Sequence, residues 1–225
     1  MGDVAILKYP KKSHRKIVIF PKYSENLAEF FGIMMGDGGI NNDWQVNITV
    51  NAIADADYSQ HIYALFKKLF GIVPVVRKRK TTNALVITLS STSAVDFLVS
   101  KGLIRGNKLK NGLCIPRWIL DKRSYRKFCV RGLVDTDGCM FVHTHRVKGK
   151  VYKNIGFMFT SHSPSLLFQV ASILEEFSIM PHISKDGKDI YVYQADSVLR
   201  YLKVFGTSNN RIKSVYNKWR DARVV

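Results

Sequence analysis

The chain has 225 residues, with 35 lysines and arginines against 17 aspartates and glutamates, so its formal charge at pH 7 is +18. This imbalance favours a polyanionic partner, and the 46% of hydrophobic residues excludes a disordered polycation because it is enough to bury a core. No membrane-length apolar run, signal peptide or CxxC pair occurs, so we expect an intracellular protein without a membrane span or disulfide framework, cytoplasmic or, in a eukaryotic host, organellar.

The first half of the chain has the pattern of a small mixed domain. Lysines, arginines and two prolines dominate residues 1–22, which we interpret as a basic N-terminal arm. A helix is predicted from Ser24 or Asn26, with Glu29 completing a capping box after Asn26, and it ends at the sequence GDGG. The remaining predicted elements are a strand at 44–50, a helix at 58–70, strands at 73–77 and 84–89, and a helix at 93–100.

The same order of elements begins again after residue 120. The predicted elements are a helix at 124–135, strands at 139–146 and 155–160, a helix at 165–177, a strand pair at 182–184 and 190–193, and a helix at 197–205. We interpret this as an internal duplication with a period near 100 residues. The sequence therefore predicts an α/β (α+β) fold of two pseudo-symmetric αββαββα halves, residues 23–120 and 121–225, each with helices on one face of an antiparallel sheet.

An apolar helix ends in Asp-Gly at the equivalent point of each half, in FFGIMMGDGG around Asp37 and in VRGLVDTDGC around Asp137. Gly32 and Gly36 lie four residues apart on one helix face, and Gly132 and Thr136 repeat that spacing, so the two helices can approach closely. Such an approach would place Asp37 beside Asp137. Two neighbouring carboxylates repel each other unless a divalent cation lies between them, and Mg²⁺ prefers oxygen ligands.

These segments, residues 30–38 and 130–138, resemble the two signature motifs of the LAGLIDADG homing endonucleases of the single-chain, monomeric type, as in intron-encoded archaeal or organellar members. The resemblance implies motif helices packed at a central interface beneath a DNA-binding saddle of two sheets. It also implies a site-specific endonuclease that makes a double-strand break with short 3′ overhangs in a long asymmetric target. Asp37 and Asp137, with Gly36 and Thr136 directly before them, would bind Mg²⁺ or Mn²⁺.

The family also adds a polar residue at a strand end and a basic residue from a later loop in each half. The resemblance therefore implies further catalytic residues, namely Asn51 and Lys108 in the first half and Ser161 and Arg211 in the second. Lys213 competes with Arg211 for its role, and Asp135, at a variable motif position, is expected to be structural.

Double-stranded DNA is the expected partner, read by polar and basic side chains on one face of each sheet. The candidate DNA-binding residues are Gln45, Asn47, Thr49, Arg77, Arg79 and Thr88 in the first half, and His143, His145, Lys153, Lys185, Tyr191 and Tyr193 in the second.

Other functions stay open from sequence alone. A maturase that binds its host intron RNA, or a DNA-binding protein that no longer cuts, could use the same scaffold. A general RNA-binding protein would share the charge, although no RNP-like or GXXG motif occurs. The pair His143 and His145 could hold zinc, but no third and fourth ligand follow at suitable spacing.

Overall fold

The structure, a computed structural model, describes residues 18–222, so the basic segment 1–17 lies outside the described residues. The first half contains α1 (Glu25–Gly36), β1 (Gly38–Asn42), β2 (Gln45–Asn51), α2 (Ala56–Phe70), β3 (Val75–Lys78), β4 (Ala84–Ser90), α3 (Thr92–Ser100) and α4 (Arg117–Leu120). The second half contains α5 (Arg123–Asp137), β5 (Gly138–Val147), β6 (Lys150–Thr160), α6 (Pro164–Glu176), β7 (His182–Ile183), β8 (Asp189–Val192), α7 (Ala195–Val204) and α8 (Asn210–Asp221). Within residues 18–222, no helix combines the length and the hydrophobicity needed to cross a membrane.

Each half contains one four-stranded antiparallel sheet. The strand orders are β1-β2-β4-β3 and β5-β6-β8-β7, so the second sheet repeats the topology of the first. The apolar residues Val46, Ile48 and Val50 of β2 are buried, while the alternate polar residues stay partly exposed, because successive side chains in a strand point to opposite faces. Helices cover the apolar face, which confirms the predicted duplicated α+β architecture.

Three elements were not predicted from the sequence. The strand β1 is rich in glycine and asparagine, which disfavour strands, and it forms because it pairs with β2. The helix α8 carries many polar residues, but Ile212 and Trp219, seven residues apart, lie on one face and are buried. The short helix α4 follows Pro116, which serves as its N-cap.

The start of α1 corrects the predicted capping box. The N-cap is Ser24, whose hydroxyl accepts a hydrogen bond from the Leu27 amide at 3.2 Å. Asn26 therefore lies within the helix. Glu29 is buried, and it contacts α5 rather than the beginning of its own helix.

The end of the predicted basic arm packs on the first half. Val18 is buried, the Ile19 amide donates to the Phe70 carbonyl at 3.1 Å, and the Phe20 ring stacks on Phe97. Residues 18–20 therefore belong to the folded body.

The two halves meet where α1 packs against α5. A Cβ added to Gly32 would overlap the carbonyl oxygen of Cys129, and one added to Gly132 would overlap the carbonyl oxygen of Glu29 and lie 2.9 Å from the Ile33 amide nitrogen. The two contacts are reciprocal, as expected for helices related by a pseudo-two-fold axis. Only glycine lets the two backbones come this close.

Gly132→Ala should therefore destabilise the protein. Alanine improves helix propensity by about 1 kcal/mol, but the overlap with the Glu29 carbonyl forces the helices apart, and we expect a net loss of about 2 kcal/mol in the free energy of unfolding. Urea denaturation measures this loss. Gly39→Ala is the matched control, because its new Cβ would contact only the Asn41 side chain at 3.9 Å. Equal stability of the two variants would contradict the packing described for α1 and α5.

Candidate active site

The ends of α1 and α5 bring two aspartates together. Asp37 directly follows α1 as its C-cap, and Asp137 is the last residue of α5. A Cβ added to Gly36 would overlap the Thr136 hydroxyl and would lie 3.0 Å from the Asp137 carboxylate. The Asp137 carboxylate therefore lies against the C-terminal end of α1. The Thr136 hydroxyl donates to the Leu133 carbonyl at 2.9 Å, which fixes it within its own helix.

The pKa values of both aspartates lie above the ordinary value for this side chain. Burial raises the pKa of Asp37 to about 6, with a smaller contribution from the negative charge of Asp55. Burial also raises the pKa of Asp137 to about 7, with a smaller contribution from Asp37. Among residues 18–222, no third histidine, cysteine or acidic side chain joins them in a group that could hold a metal ion. This oxygen donor set, with two mutually repelling carboxylates, fits a hard divalent cation such as Mg²⁺.

Lys108 reaches the end of α1 from the loop after α3. Its ammonium donates to the carbonyls of Gly38 at 3.0 Å and Met34 at 3.4 Å, and also to that of Gly36. Burial lowers the pKa of Lys108, while the charges of Asp137 and Asp37 oppose that shift. The ammonium therefore lies in the electrostatic field of both aspartates.

Arg211 occupies the corresponding place in the second half. Its guanidinium Nη1 donates to the Gly138 carbonyl at 3.1 Å, as Lys108 does to that of Gly38, and Nη2 lies 3.5 Å from the Asp135 carbonyl. The charge of Arg211 lowers the pKa of Asp37. Lys213, the competing candidate, is exposed on α8. The structure thus brings Arg211, rather than Lys213, to the motif helices.

Asp55 is a site residue that the sequence analysis missed. It precedes α2, and its Oδ1 accepts hydrogen bonds from Arg211 Nε at 3.2 Å and from Asn209 Nδ2 at 2.8 Å. Both donors come from the second half, at the start of α8. No local pattern indicates this contact, because 154 residues or more separate Asp55 from its partners.

Asn51 and Ser161 lie at the ends of β2 and β6, but their side chains bond to local backbone. Asn51 Oδ1 accepts from the amides of Ile53 at 2.9 Å and Ala54 at 3.0 Å. The Ser161 hydroxyl is buried and accepts from the Ser163 amide at 3.2 Å. In this structure both side chains shape the turn that follows the strand.

Asp135, which the sequence analysis expected to be structural, is buried behind the aspartate pair. It accepts a hydrogen bond from the Ser208 amide at 2.8 Å and another from the Thr207 hydroxyl. Burial raises its pKa to about 7, although these two hydrogen bonds oppose the shift. Asp135 thereby ties the segment before α8 to the motif helix.

Glu29 forms a buried ionic contact between α1 and α5. Its carboxylate accepts a hydrogen bond from Arg131 Nε at 3.2 Å and a second from Arg131 Nη2, and it lies 2.9 Å from His61 Nε2. The Ser208 hydroxyl donates at 3.1 Å. Burial alone would raise the pKa of Glu29, but the hydrogen bonds from His61 and Arg131 outweigh it, so the pKa lies below its ordinary value.

Glu29→Gln should cost about 3 kcal/mol of stability at pH 7, because it leaves Arg131 without its buried counter-ion. A lowered native pKa means that the carboxylate stabilises the fold above its unfolded pKa and loses this effect as the pH falls through the native pKa. The stability difference between wild type and variant should therefore shrink on acidification, which urea denaturation at pH 7 and pH 4 measures. Glu25→Gln, an exposed acid on the same helix, is the control and should stay close to wild type. A difference that does not depend on pH would argue against the ionic role of Glu29.

The exposed face of the first sheet is polar, as predicted. Asn47 lies opposite Thr88, and its Oδ1 accepts a hydrogen bond from the Thr88 hydroxyl at 2.8 Å. The Gln45 side-chain amide donates to the Ser90 hydroxyl at 3.3 Å. The strand register also places Thr49, Arg77 and Arg79 on this face. Thr49 and Arg77 both lie opposite Val86, and the Arg79 amide donates to the carbonyl of Ala84, two residues before Val86. An open groove connects this face to Asp37 and is lined by Asp37, Asn47, Thr49, Arg79 and Lys108.

The exposed face of the second sheet is aromatic. His143 stacks on His145 and Tyr191 stacks on Tyr193, with ring centroids 5.7 and 5.3 Å apart. Phe141, on the same face, meets Tyr193 edge to face. Phe141 was not predicted, although its alternation with His143 and His145 already places it there. Lys185 is exposed in the turn between β7 and β8.

The prediction for Lys153 needs correction. Lys153 pairs with Thr144, whereas His143 pairs with Asn154, and directly opposed residues share a face. Lys153 therefore lies on the face opposite to the two histidines, beside Thr144 and Lys218. The reason is the register of the β5–β6 pair, because a shift of one residue moves a side chain to the other face.

Comparisons with known proteins agree with this architecture. Residues 116–209 match the model of the LAGLIDADG-like domain family, and this segment contains α5 and the second sheet. A comparison with curated protein sequences gives no match.

Among solved structures, the chain is similar to the meganuclease I-SmaMI bound to uncleaveable DNA, with a TM-score of 0.60 and 12% identity over 90% of this chain and 92% of that one. The I-LtrWI LAGLIDADG homing endonuclease bound to target DNA gives a TM-score of 0.58 and 12% identity over 88% of this chain and 89% of that one. I-SmaMI bound to uncleaved DNA in the presence of calcium ions gives a TM-score of 0.56 and 12% identity over 89% and 90% of the two chains. The chain therefore has the fold of the LAGLIDADG meganucleases, and its residues 116–209 match the LAGLIDADG-like domain family.

Proposed function

We propose that this protein is a monomeric LAGLIDADG homing endonuclease that cuts both strands of a specific DNA target. Its two half-domains are residues 23–120 and 121–225, and its target is long and asymmetric because the two sheets present different side chains. The observation that carries the proposal is the meeting of Asp37 and Asp137 at the ends of two packed helices, in a strongly basic chain. I-SmaMI and I-LtrWI, which share the fold, were solved bound to DNA.

The aspartates are proposed to hold divalent metal, Mg²⁺ or Mn²⁺. Burial and repulsion between carboxylates raise the pKa of both groups, and a bound cation would reverse that penalty. A similar structure was obtained with calcium ions present. When bound, such a metal supplies an activated water and stabilises the leaving oxygen of the phosphodiester.

The remaining site residues act on the DNA backbone. Lys108 and Arg211 place one positive charge at the end of each motif helix, where each can offset charge that develops on a scissile phosphate. Each aspartate would then serve hydrolysis of one strand and leave short 3′ overhangs. The two sheet faces lie in the major groove and distinguish bases, while the surrounding lysines and arginines contact phosphates.

Asp37→Asn and Asp137→Asn should each abolish double-strand cleavage while DNA affinity stays within a few-fold of wild type. Asparagine keeps the size of the side chain and removes the charge that binds the metal. The substrate is the uninterrupted version of the gene in which the reading frame lies, with Mg²⁺ or with a chelator. Gel assays of cleavage and of binding in Ca²⁺ separate the two effects.

Two results would count against the proposal. Unchanged cleavage by both aspartate variants would remove them from the active site. Tight binding of the host intron RNA, without cleavage of DNA, would favour a maturase instead.

Lys108→Met should slow cleavage by roughly 100-fold, because it removes a half-buried positive charge from the site and keeps most of the unbranched side chain. Lys110→Met, in the same loop but exposed, is the matched control and should cleave like wild type. Single-turnover rates at saturating protein measure the difference. Comparable rates for the two variants would falsify the role assigned to Lys108.

A further inference from the structure

The two basic residues at the motif helices are held in different ways. Lys108 is fixed by main-chain carbonyls of its own half, those of Met34, Gly36 and Gly38. Arg211 contacts a carbonyl of its own half, at Gly138, and also forms an ion pair with Asp55 of the other half. The pseudo-symmetry of the fold is therefore broken at the site.

The contact between Asp55 and Arg211 is sheltered and well supported. The Asp55 side chain is only 13% exposed, and its second oxygen, Oδ2, accepts from the Asn51 amide at 3.3 Å. Asn209, which is buried, donates to Asp55 from Nδ2, and its Oδ1 accepts from the Arg211 amide at 2.9 Å. Both ends of the ion pair are thus fixed before any ligand binds, and preorganised charges of this kind need little reorganisation.

The pair lies at the end of one motif helix, and Lys108 lies at the end of the other. Arg211 Nη1 donates to the carbonyl of Gly138, the residue directly after Asp137, at 3.1 Å. Lys108 donates to the carbonyl of Gly38, the residue directly after Asp37, at 3.0 Å. A change at Asp55 therefore acts first on the basic residue at the end of α5.

We propose that Asp55 is a positioning residue that holds the Arg211 guanidinium across the half-domain interface, and that one DNA strand depends on this pair while the other depends on Lys108. The inference rests on the proposed endonuclease function and deepens it. Asp55 does not itself contact the reacting phosphate. It acts by keeping Arg211 beside the end of α5, where a misplacement of about 1 Å can slow a reaction roughly 100-fold.

The test is strand-resolved cleavage of the same target by Asp55→Asn, with each strand labelled at its own 5′ end. We expect cleavage of one strand to slow by roughly 10- to 100-fold while the other changes by less than about threefold, so that nicked DNA accumulates. Asp57→Asn is the matched control. Asp57 lies two residues away and also contacts the second half, through Asn210 Nδ2 at 2.8 Å, but that contact is exposed and involves a neutral partner. The Asp57→Asn variant should cleave both strands at the wild-type rate.

A double-mutant cycle separates positioning from a direct electrostatic effect of Asp55 on Asp37. If Asp55 acts through Arg211, adding Asp55→Asn to Arg211→Gln should cause little further loss on the affected strand. If Asp55 acts directly on Asp37, the two losses should multiply, and the positioning role is overturned. The free energy of unfolding of all four proteins provides a readout that is independent of activity, and it should also show coupling between the two substitutions.

The remaining outcomes are distinct. Equal slowing of both strands by Asp55→Asn, or no slowing, overturns the inference while wild-type cleavage still supports the proposed function. Failure of the wild-type chain to cut its target overturns the proposed function and the inference together. A loss of folding in Asp55→Asn, seen as an early unfolding transition, is addressed with Asp55→Glu, which keeps the charge and should restore balanced cleavage of the two strands if the inference holds.

Discussion

The close contact between α1 and α5 is the constraint on which the rest of this molecule depends. Gly32 and Gly132 let each helix backbone lie against the other, with no side chain between them. The same contact fixes the separation of the two sheets and the separation of the two helix ends. The aspartates at the two helix ends lie near each other because the helices that carry them are in backbone contact.

Polar groups in this interface give it specificity. Glu29 is buried and is satisfied by Arg131 of α5, His61 of α2 and Ser208 of the loop before α8. A buried ion pair contributes little net stability, but it strongly penalises arrangements that leave a charge unpaired. The contact therefore selects one register between the motif helices, and the register decides where Asp37 and Asp137 meet.

The two halves have the same fold but different surfaces. The first sheet presents amides, hydroxyls and guanidinium groups, while the second presents stacked histidine and tyrosine rings. The candidate active site also differs between the halves, with a lysine at one helix end and an arginine, paired with Asp55, at the other. A single chain can diverge in this way, since each half is free to change without altering its partner.

The sequence by itself determined the duplicated α+β fold and the equivalent positions of the two motif aspartates, because helix and strand periodicity and the repeated Gly-x-x-x spacing are local properties. Lys108 was implied by the family resemblance alone, and its role stays a prediction. The sequence also predicted the polar face of β2 from alternation alone. It missed α8 and misplaced Lys153, because the burial of Ile212 and the pairing of Lys153 with Thr144 depend on contacts with distant segments. Asp55 could only be found in the tertiary structure, since its charge acquires a role when α8 brings Arg211 across the interface. Local patterns determined the secondary structure of each half. Long-range packing determined which side chains meet at the interface between the two halves.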